Sequence, residues 1–542
     1  MNRPEIINVP ILIIGAGPVG LALAGDLGWR GKACLVVEQS DGSIYQPRQD
    51  MIGIRTMEFC RRWGIVSDVE ASPYPRDYAQ DNVYIAGSLV TGWEIGRHPS
   101  PSMGDAHPPP QSPQRRERCP QNMFDPILVN FADSFDNVDI RYRHRFLGFE
   151  LDDDGVTAEI EDLEYSGRKL VRARFLVGCD GANSQVRDEI GVAMLGDPAL
   201  TYTTNIIFRH EGFEALHDKK RGYRFILLDQ TGTWSTIVAI NGRDHWRMSI
   251  IGNRQDWRKL TNSEIKESIR SAVGCDFSYE ILSVVQWVRR ELVAQNFSQG
   301  NVFIAGDAAH CMSPTGGFGM NTGIGDAIDL SWKLCGVLDG WGGDSLTQSY
   351  DAERRPVAIT NVAEASGNLS RMLSPGPNLY LLDRSTQGER TREIVGHNFA
   401  EAMQREWNTL GIHLGYCYEE SPIICPDGSP QLPYSTMTYT QTARPGARAP
   451  HVALGAQSSS LDLFGQDYVL LHLGSSVFNF APFIDAAARR RLPLDILKIN
   501  DRGMRMAYER DLVLVRPDGH VAWRGDAFSD DMLAVVDRVR GA

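Results

Sequence analysis

The sequence predicts an α/β protein, with a doubly wound dinucleotide-binding core, a mostly antiparallel sheet inserted into it, and a separate α/β C-terminal domain. Three observations carry this prediction. Glycine-rich strand-loop-helix signals recur at residues 9–40, 174–191 and 301–338. Between the second and third, the pattern changes to short alternating runs, Ser235–Ile240 and Trp246–Ile251, bounded by the turn pair Asn241-Gly242. After residue 370 the glycine signals stop, and strand-like runs return at Tyr468–Leu473 and Leu512–Arg516 around an Ala-rich helical stretch, Phe483–Arg491.

The first element is the apolar strand Val9–Ile14, which runs into Gly15-Ala-Gly17-Pro18-Val19-Gly20 and a helix over Leu21–Arg30. Gly15 permits a tight turn, Gly17 lets the backbone approach a pyrophosphate, and Gly20 allows close helix-strand packing, so the phosphates sit on the helix N-terminus. A second strand, Ala33–Glu38, ends in a carboxylate eighteen residues beyond Gly20, placed to accept hydrogen bonds from an adenosine ribose. The second signal is Phe175–Arg187, with Asp180-Gly181 at the strand end. The third is Val302–His310, with Gly306-Asp307, followed by the loop Pro314–Asn321. Beyond that loop, positions 320, 324, 327, 328, 331, 334, 335 and 338 are apolar or small at helical spacing.

Length and composition set bounds. A chain of 542 residues predicts about two to four domains. A formal charge of −13 opposes nonspecific binding to nucleic acid or anionic lipid and favours a small-molecule partner. The nine cysteines show no C-x-x-C or zinc-ligand spacing, which points to reduced thiols in the cytoplasm and to no metal site. Val9–Ile14 is too short for a membrane span, and no other window is long and apolar enough. The proline-rich segment Arg97–Pro113 reads as a surface loop or lid, and Leu432–Pro450 as a polar linker.

The three loops, in this order, closely resemble those of the class A flavoprotein aromatic hydroxylases, FAD-dependent monooxygenases of the phenol hydroxylase and 3-hydroxyphenylpropionate hydroxylase type. The resemblance covers roughly residues 9–365. It implies a Rossmann-like FAD-binding domain over residues 1–370 (about 1–80, 118–195 and 290–370), with the substrate domain interleaved (about 81–117 and 196–289). A helical connection (371–431) and a thioredoxin-like C-terminal domain (432–542) follow. With no C-x-x-C, that last domain is expected to be structural or dimer-forming rather than redox-active.

Carried over residue by residue, the resemblance assigns the FAD diphosphate and ribose to Gly15, Gly17, Pro18, Val19, Gly20 and Glu38. Asp180 and Gly181 serve FAD and NADPH or NADH, Gly306 and Asp307 the ribityl chain, and Arg48 and Gln121 the cofactor phosphates and ribityl group. Pro314, Gly316, Gly317, Gly319, Met320 and Asn321 form the flavin loop and one wall of the substrate cavity. The implied reaction uses NAD(P)H and O2 to hydroxylate a phenolic or other electron-rich aromatic through a flavin C4a-hydroperoxide. Asp50 matches the family's acid and is the candidate base, its pKa expected to be raised by burial; a helix cap near Ile54 is the alternative role. The family pairs that acid with a tyrosine. The strand expected to supply it offers only Met248 or Ser249, leaving Tyr223 on another strand as the substitute. His310 has two readings, pocket-facing or structural. The competing functions are a noncatalytic flavin-binding module and a flavin monooxygenase acting on a non-phenolic, polyketide-like or antibiotic substrate. The absence of a Trp-x-Trp-x-Ile-Pro run argues against a halogenase.

Overall fold

The computed structural model describes residues 6–47, 49–252, 258–528 and 531–542. In chain order its main elements begin with β1 (Ile6–Ile14), α1 (Pro18–Trp29), β2 (Cys34–Val37), α2 (Ile54–Trp63), β3 (Asn82–Ala86), β4 (Trp93–His98), α3 (Gln121–Asp133), β5 (Val138–Arg141) and β6 (Gly167–Gly178). Next come β7 (Met194–Arg209), β8 (Arg224–Asp229), β9 (Gly232–Ala239), β10 (His245–Ile251), α4 (Asn262–Val273), β11 (Glu280–Ala294) and β12 (Val302–Ile304). Three long helices follow: α5 (Gly319–Leu338), α6 (Asp344–Leu373) and α7 (Thr386–Trp407). The chain ends with β13 (Tyr468–His472), α8 (Ala481–Arg490), β14 (Leu494–Lys498), α9 (Arg502–Tyr508), β15 (Leu512–Val515), β16 (Val521–Gly525) and α10 (Met532–Val539).

Parallel strands β5–β2–β1–β6–β12 lie side by side, which in order of appearance is 3-2-1-4-5, the doubly wound arrangement. Their buried runs, such as Ile11–Ile14 and Leu35–Val37, form the largest core with α1, α3 and α5. The glycine loops therefore emerge at the C-terminal ends of adjacent strands β1, β6 and β12, beside the point where the strand order reverses.

The inserted sheet has the order β11–β7–β10–β9–β8–β3–β4 and is antiparallel except between β8 and β3. Strand alternation divides its residues between two faces. Phe208, Phe225, Ile237, Trp246 and Met248 pack on one face against Ile265 and Ile269 of α4. On the other face, Tyr84, Ile226 and Leu228 pack under α6 and α7 through Leu369, Met372, Phe399 and Met403. The same face also carries Thr203, Asn205, Arg224, Arg247, Ser249 and Arg289, beside Ile207 and Val238.

The C-terminal sheet has the order β14–β13–β15–β16, with β13 and β14 parallel and the others antiparallel. With helices after β13, β14 and β16, this is the arrangement expected of a thioredoxin-like domain. Two sequence expectations need correction. The segment 432–450 is not a free linker, because Ala443, Ala447, Arg448 and Ala449 are buried and Arg448 bonds Glu58 of α2. The proline-rich loop is likewise pinned rather than free: Met103 and Ser112 are buried, Ser112 Oγ donates to Glu58 (2.6 Å), and Arg448 donates to the Gln111 carbonyl (3.2 Å). Among the described residues no helix is long and apolar enough to cross a membrane.

Candidate active site

The three loops form one cradle. Gly15 has a φ of +104°, and a Cβ there would fall 2.4 Å from the Cys179 carbonyl oxygen, so the β1 and β6 loops touch only because position 15 has no side chain. The Cys179 N–H donates to the Ile14 carbonyl (2.7 Å) and the Ala305 N–H to that of Gly178 (3.0 Å), tying the strand ends together. Glu38 accepts from the Ala16 N–H (3.0 Å) and the Ser40 N–H (2.8 Å), which fixes its carboxylate beside the first loop.

At Gly17, the N-cap of α1, a Cβ would meet nothing within 4 Å; no side chain caps the helix, and its first turn carries no acid. Gly181, at φ +82°, is equally open. An uncapped helix N-terminus beside empty space suits a diphosphate, so these residues fit the dinucleotide the sequence implies. Asp180 accepts from Ser184 Oγ (2.5 Å) and the Val186 N–H (3.1 Å), while burial pushes its carboxyl up. Gln121 starts α3 and turns its amide onto Asp125 (3.1 Å), a carboxyl that burial raises to about 7. Arg48 lies outside the described residues. Gly306 has a φ of +61° and sets Asp307, half-buried, at the end of β12. His310 is fully buried and bonds Asp326 (2.7 Å), so it is structural.

The third loop crosses the front of the cradle. Gly316 (φ +90°) and Gly317 (φ +69°) turn the chain into α5, which also lacks a side-chain cap and an acid in its first turn, leaving N–H groups for an anion. Asn321 holds the loop in place. Its Oδ1 accepts from the Gly53 N–H (2.7 Å) and Thr56 Oγ1 (2.8 Å), and its Nδ2 donates to the carbonyls of Gly317 (2.8 Å) and Met51 (3.2 Å). With its side chain spent on these ties, Asn321 can offer a cofactor only its backbone. Gly319 and buried Met320 open the helix, and Pro314 is exposed. Sequence periodicity gave α5 one apolar face, whereas the helix is buried almost all round, with Asp326, Asp329 and Lys333 paired internally.

Asp50 sits between this loop and the inserted sheet. Arg118 Nη1 donates to Oδ1 (2.8 Å), the Tyr223 hydroxyl donates to Oδ2, and Arg247 Nη2 lies 3.6 Å away. Tyr223 therefore supplies the tyrosine that Met248 and Ser249 do not: Met248 is in the core on the far face, and Ser249 bonds Asn205 (2.8 Å). The helix-cap reading fails, because the N-cap of α2 is Gly53. The expected rise in the Asp50 pKa is also overturned. Burial alone would raise it, but Arg118, Arg247 and the Tyr223 hydrogen bond hold the carboxyl below its ordinary value. Burial raises the Tyr223 phenol, and the Arg118 guanidinium lies over its ring at 3.5 Å.

Sequence reasoning missed the cations around this pair. Register places Arg224, Arg247, Ser249, Asn205, Thr203 and Arg289 on the polar face of the sheet. Glu406 of α7 takes Arg224 Nη1 (3.0 Å) and the Gly316 N–H (3.2 Å), leaving its Oε2 buried and unpartnered. Arg289 is buried, donates to Thr203 Oγ1 (3.0 Å) and reaches Ser313 Oγ (3.5 Å), and among the described residues it pairs with no carboxylate. Burial, with Arg224 and Arg247 beside it, pushes its guanidinium down to about 9. Strand alternation could have put these side chains on one face, but only with the pairing register known.

Comparison with known proteins agrees with this geometry. Residues 8–365 match the FAD binding domain family, and residues 442–542 match the aromatic-ring hydroxylase C-terminal family. A putative polyketide hydroxylase of Streptomyces halstedii is 31% identical, over 95% of this chain and 93% of that protein. Among solved structures, chromopyrrolic acid-soaked RebC with bound 7-carboxy-K252c superposes with a TM-score of 0.92 at 39% identity, covering 99% of this chain and 100% of that one. Aklavinone-11 hydroxylase with FAD and aklavinone gives 0.82 at 27% identity, covering 99% of both. The chain belongs to the FAD-dependent aromatic-ring hydroxylases, monooxygenases that draw their electrons from NAD(P)H.

Proposed function

We propose that this monooxygenase hydroxylates a polycyclic aromatic that carries both a phenolic hydroxyl and an acid group, bound between the polar sheet face and the Pro314–Asn321 loop. Bound FAD, held by the glycine loops, Glu38 and Asp307, supplies the redox chemistry, with O2 as co-substrate. The observation that carries the reading is the cluster of charge at this face of the sheet. Among the described residues, the carboxylates paired with Arg118, Arg224 and Arg247 are Asp50 and Glu406, and Arg289 has none; a buried guanidinium without a carboxylate is costly unless a ligand provides one. The structure of RebC soaked with chromopyrrolic acid, which holds bound 7-carboxy-K252c, points the same way.

Asp50 and Tyr223 act on the phenol. Asp50, ionised at neutral pH, accepts the Tyr223 proton in a hydrogen bond and so turns the lone pairs of that oxygen toward substrate. The substrate O–H donates to Tyr223. As ring electron density is demanded, its proton moves to Tyr223 while the Tyr223 proton moves to Asp50, leaving the substrate as phenolate. Arg118 and Arg247 keep the charge on Asp50 between turnovers.

A matched set of compounds tests the reading: a hydroxylated polycyclic carboxylic acid, its methyl ester, and a simple phenol. The acid should stimulate NAD(P)H oxidation and yield a product heavier by one oxygen, with the ester's KM higher by about tenfold or more. An ester turned over as well as its acid would overturn the acid-group assignment.

A further inference from the structure

The cofactor turn Gly306-Asp307 is braced from behind by a chain of buried polar groups that ends beyond residue 365, at Tyr418. Asp326, on α5, accepts the Gly306 N–H at Oδ2 (3.2 Å), together with His310 Nε2 (2.7 Å). Its Oδ1 accepts Arg354 Nε (2.8 Å) from α6. The remaining arms of Arg354 donate to the Thr322 carbonyl (3.0 Å) and to the Tyr418 hydroxyl (3.1 Å). All four side chains, Asp326, His310, Arg354 and Tyr418, are nearly or wholly buried.

Tyr418 lies beyond residues 8–365, outside the cofactor-binding family match. Its ring rests 4.4 Å from that of His520, in the turn between β15 and β16. That turn is anchored in the same helices: Arg516 bonds Glu353 (2.5 and 2.9 Å), the residue before Arg354, and approaches Asp329 (3.3 Å) on α5. A lone hydrogen bond to Gly306 could be incidental. Here one carboxylate joins that amide to an arginine whose last arm is satisfied by Tyr418, from beyond the FAD-binding match, and a guanidinium arm left unpaired in the interior is expensive.

We propose that Arg354 and Tyr418 are positioning residues for the cofactor: acting through Asp326, they set the Gly306-Asp307 turn, so the chain beyond residue 365 takes part in holding FAD. This rests on assigning that turn to FAD, which Asp307→Ala tests separately.

The experiment uses the full-length apoprotein and measures FAD dissociation by flavin fluorescence, alongside the flavin absorption spectrum and the thermal midpoint. Tyr418→Phe removes only the hydroxyl at the end of the chain. Tyr508→Phe is the control, since it deletes another buried C-terminal hydroxyl, bonded to the Pro450 carbonyl (2.9 Å) and away from this path. Tyr418→Phe should raise the FAD Kd by about fivefold, the order expected from one lost buried hydrogen bond, and shift the flavin spectrum. Tyr508→Phe should lower the thermal midpoint and leave Kd and spectrum alone. Equal FAD Kd values in the two variants, with Asp307→Ala still weakening FAD binding, would overturn the positioning role while sparing the cofactor assignment. If Asp307→Ala leaves FAD binding unchanged, the cofactor assignment falls and the positioning role with it.

Discussion

At the scale of single residues, Asp50 joins the sequence reading to the structural one. Its place before Arg55-Thr56 identified it, but the three groups that define its chemistry come from elsewhere: Arg118 beside α3, Tyr223 before β8 and Arg247 on β10. No local pattern links these positions, because which side chains meet across a sheet depends on register and not on spacing along the chain. Asp50→Asn keeps the shape and removes the charge. FAD should stay bound, while hydroxylation of a phenolic substrate slows by about 10²-fold at pH 7 and recovers as rising pH supplies phenolate. Because the folded pKa of Asp50 is depressed, the carboxylate persists above its ordinary value and is lost only as pH falls through the lower folded one. The wild-type rate should therefore show no acid limb from this group above about pH 5. Rapid hydroxylation by the Asn variant at pH 7 would dismiss the relay. Asp307→Ala, by contrast, should act on the cofactor, weakening FAD retention by about 1.5–3 kcal/mol in an equilibrium titration.

At the scale of elements, the glycine loops were legible because each does its work within about a dozen residues, where glycine spacing is set by steric contact. Helix α5 was legible only in part. Periodicity finds an apolar stripe but cannot see that Asp329 and Lys333 on its other side pair with each other and with Glu353 of α6, so a fully buried helix reads as amphipathic. Gly323 shows how tightly this helix seats on the cradle. A Cβ there would fall 2.6 Å from Val19 Cγ2, which a turn of that side chain can relieve, and 2.9 Å from the Gly306 Cα, a backbone contact that is relieved by moving α5 away from the Gly306-Asp307 turn. Gly323→Ala should lower stability by about 1–3 kcal/mol and also weaken FAD binding, despite the usual helix-stabilising effect of that exchange. A stabilised variant with unchanged FAD affinity would show that the helix has room to move.

At the scale of the whole molecule, the C-terminal domain was expected from the sequence, but its grip on the rest was not. Composition made 432–450 a linker, since a short Pro- and Arg-containing run gives no sign of a distant acid. Arg448 in fact enters the interior to meet Glu58 on α2, where Arg55 and Ser112 also converge. Burial would raise the Glu58 carboxyl, but Arg448 and Arg55 outweigh it and bring it down to about 2 from an ordinary 4.5. A depressed folded pKa means that the pair's contribution is complete above the ordinary value and disappears as pH falls through the folded one. Glu58→Gln strips the carboxylate from two buried guanidinium groups and should cost about 3–5 kcal/mol at pH 7, the range for breaking a buried pair from one side. The gap between wild type and variant should narrow as pH drops from about 4.5 toward 2, where wild-type Glu58 also becomes neutral. Chemical unfolding of the FAD-loaded proteins at pH 7 and pH 3 measures both effects; matching midpoints at pH 7 would mean that the Glu58 pair does not hold the C-terminal domain in place, leaving that to the Arg516–Glu353 pair and apolar packing.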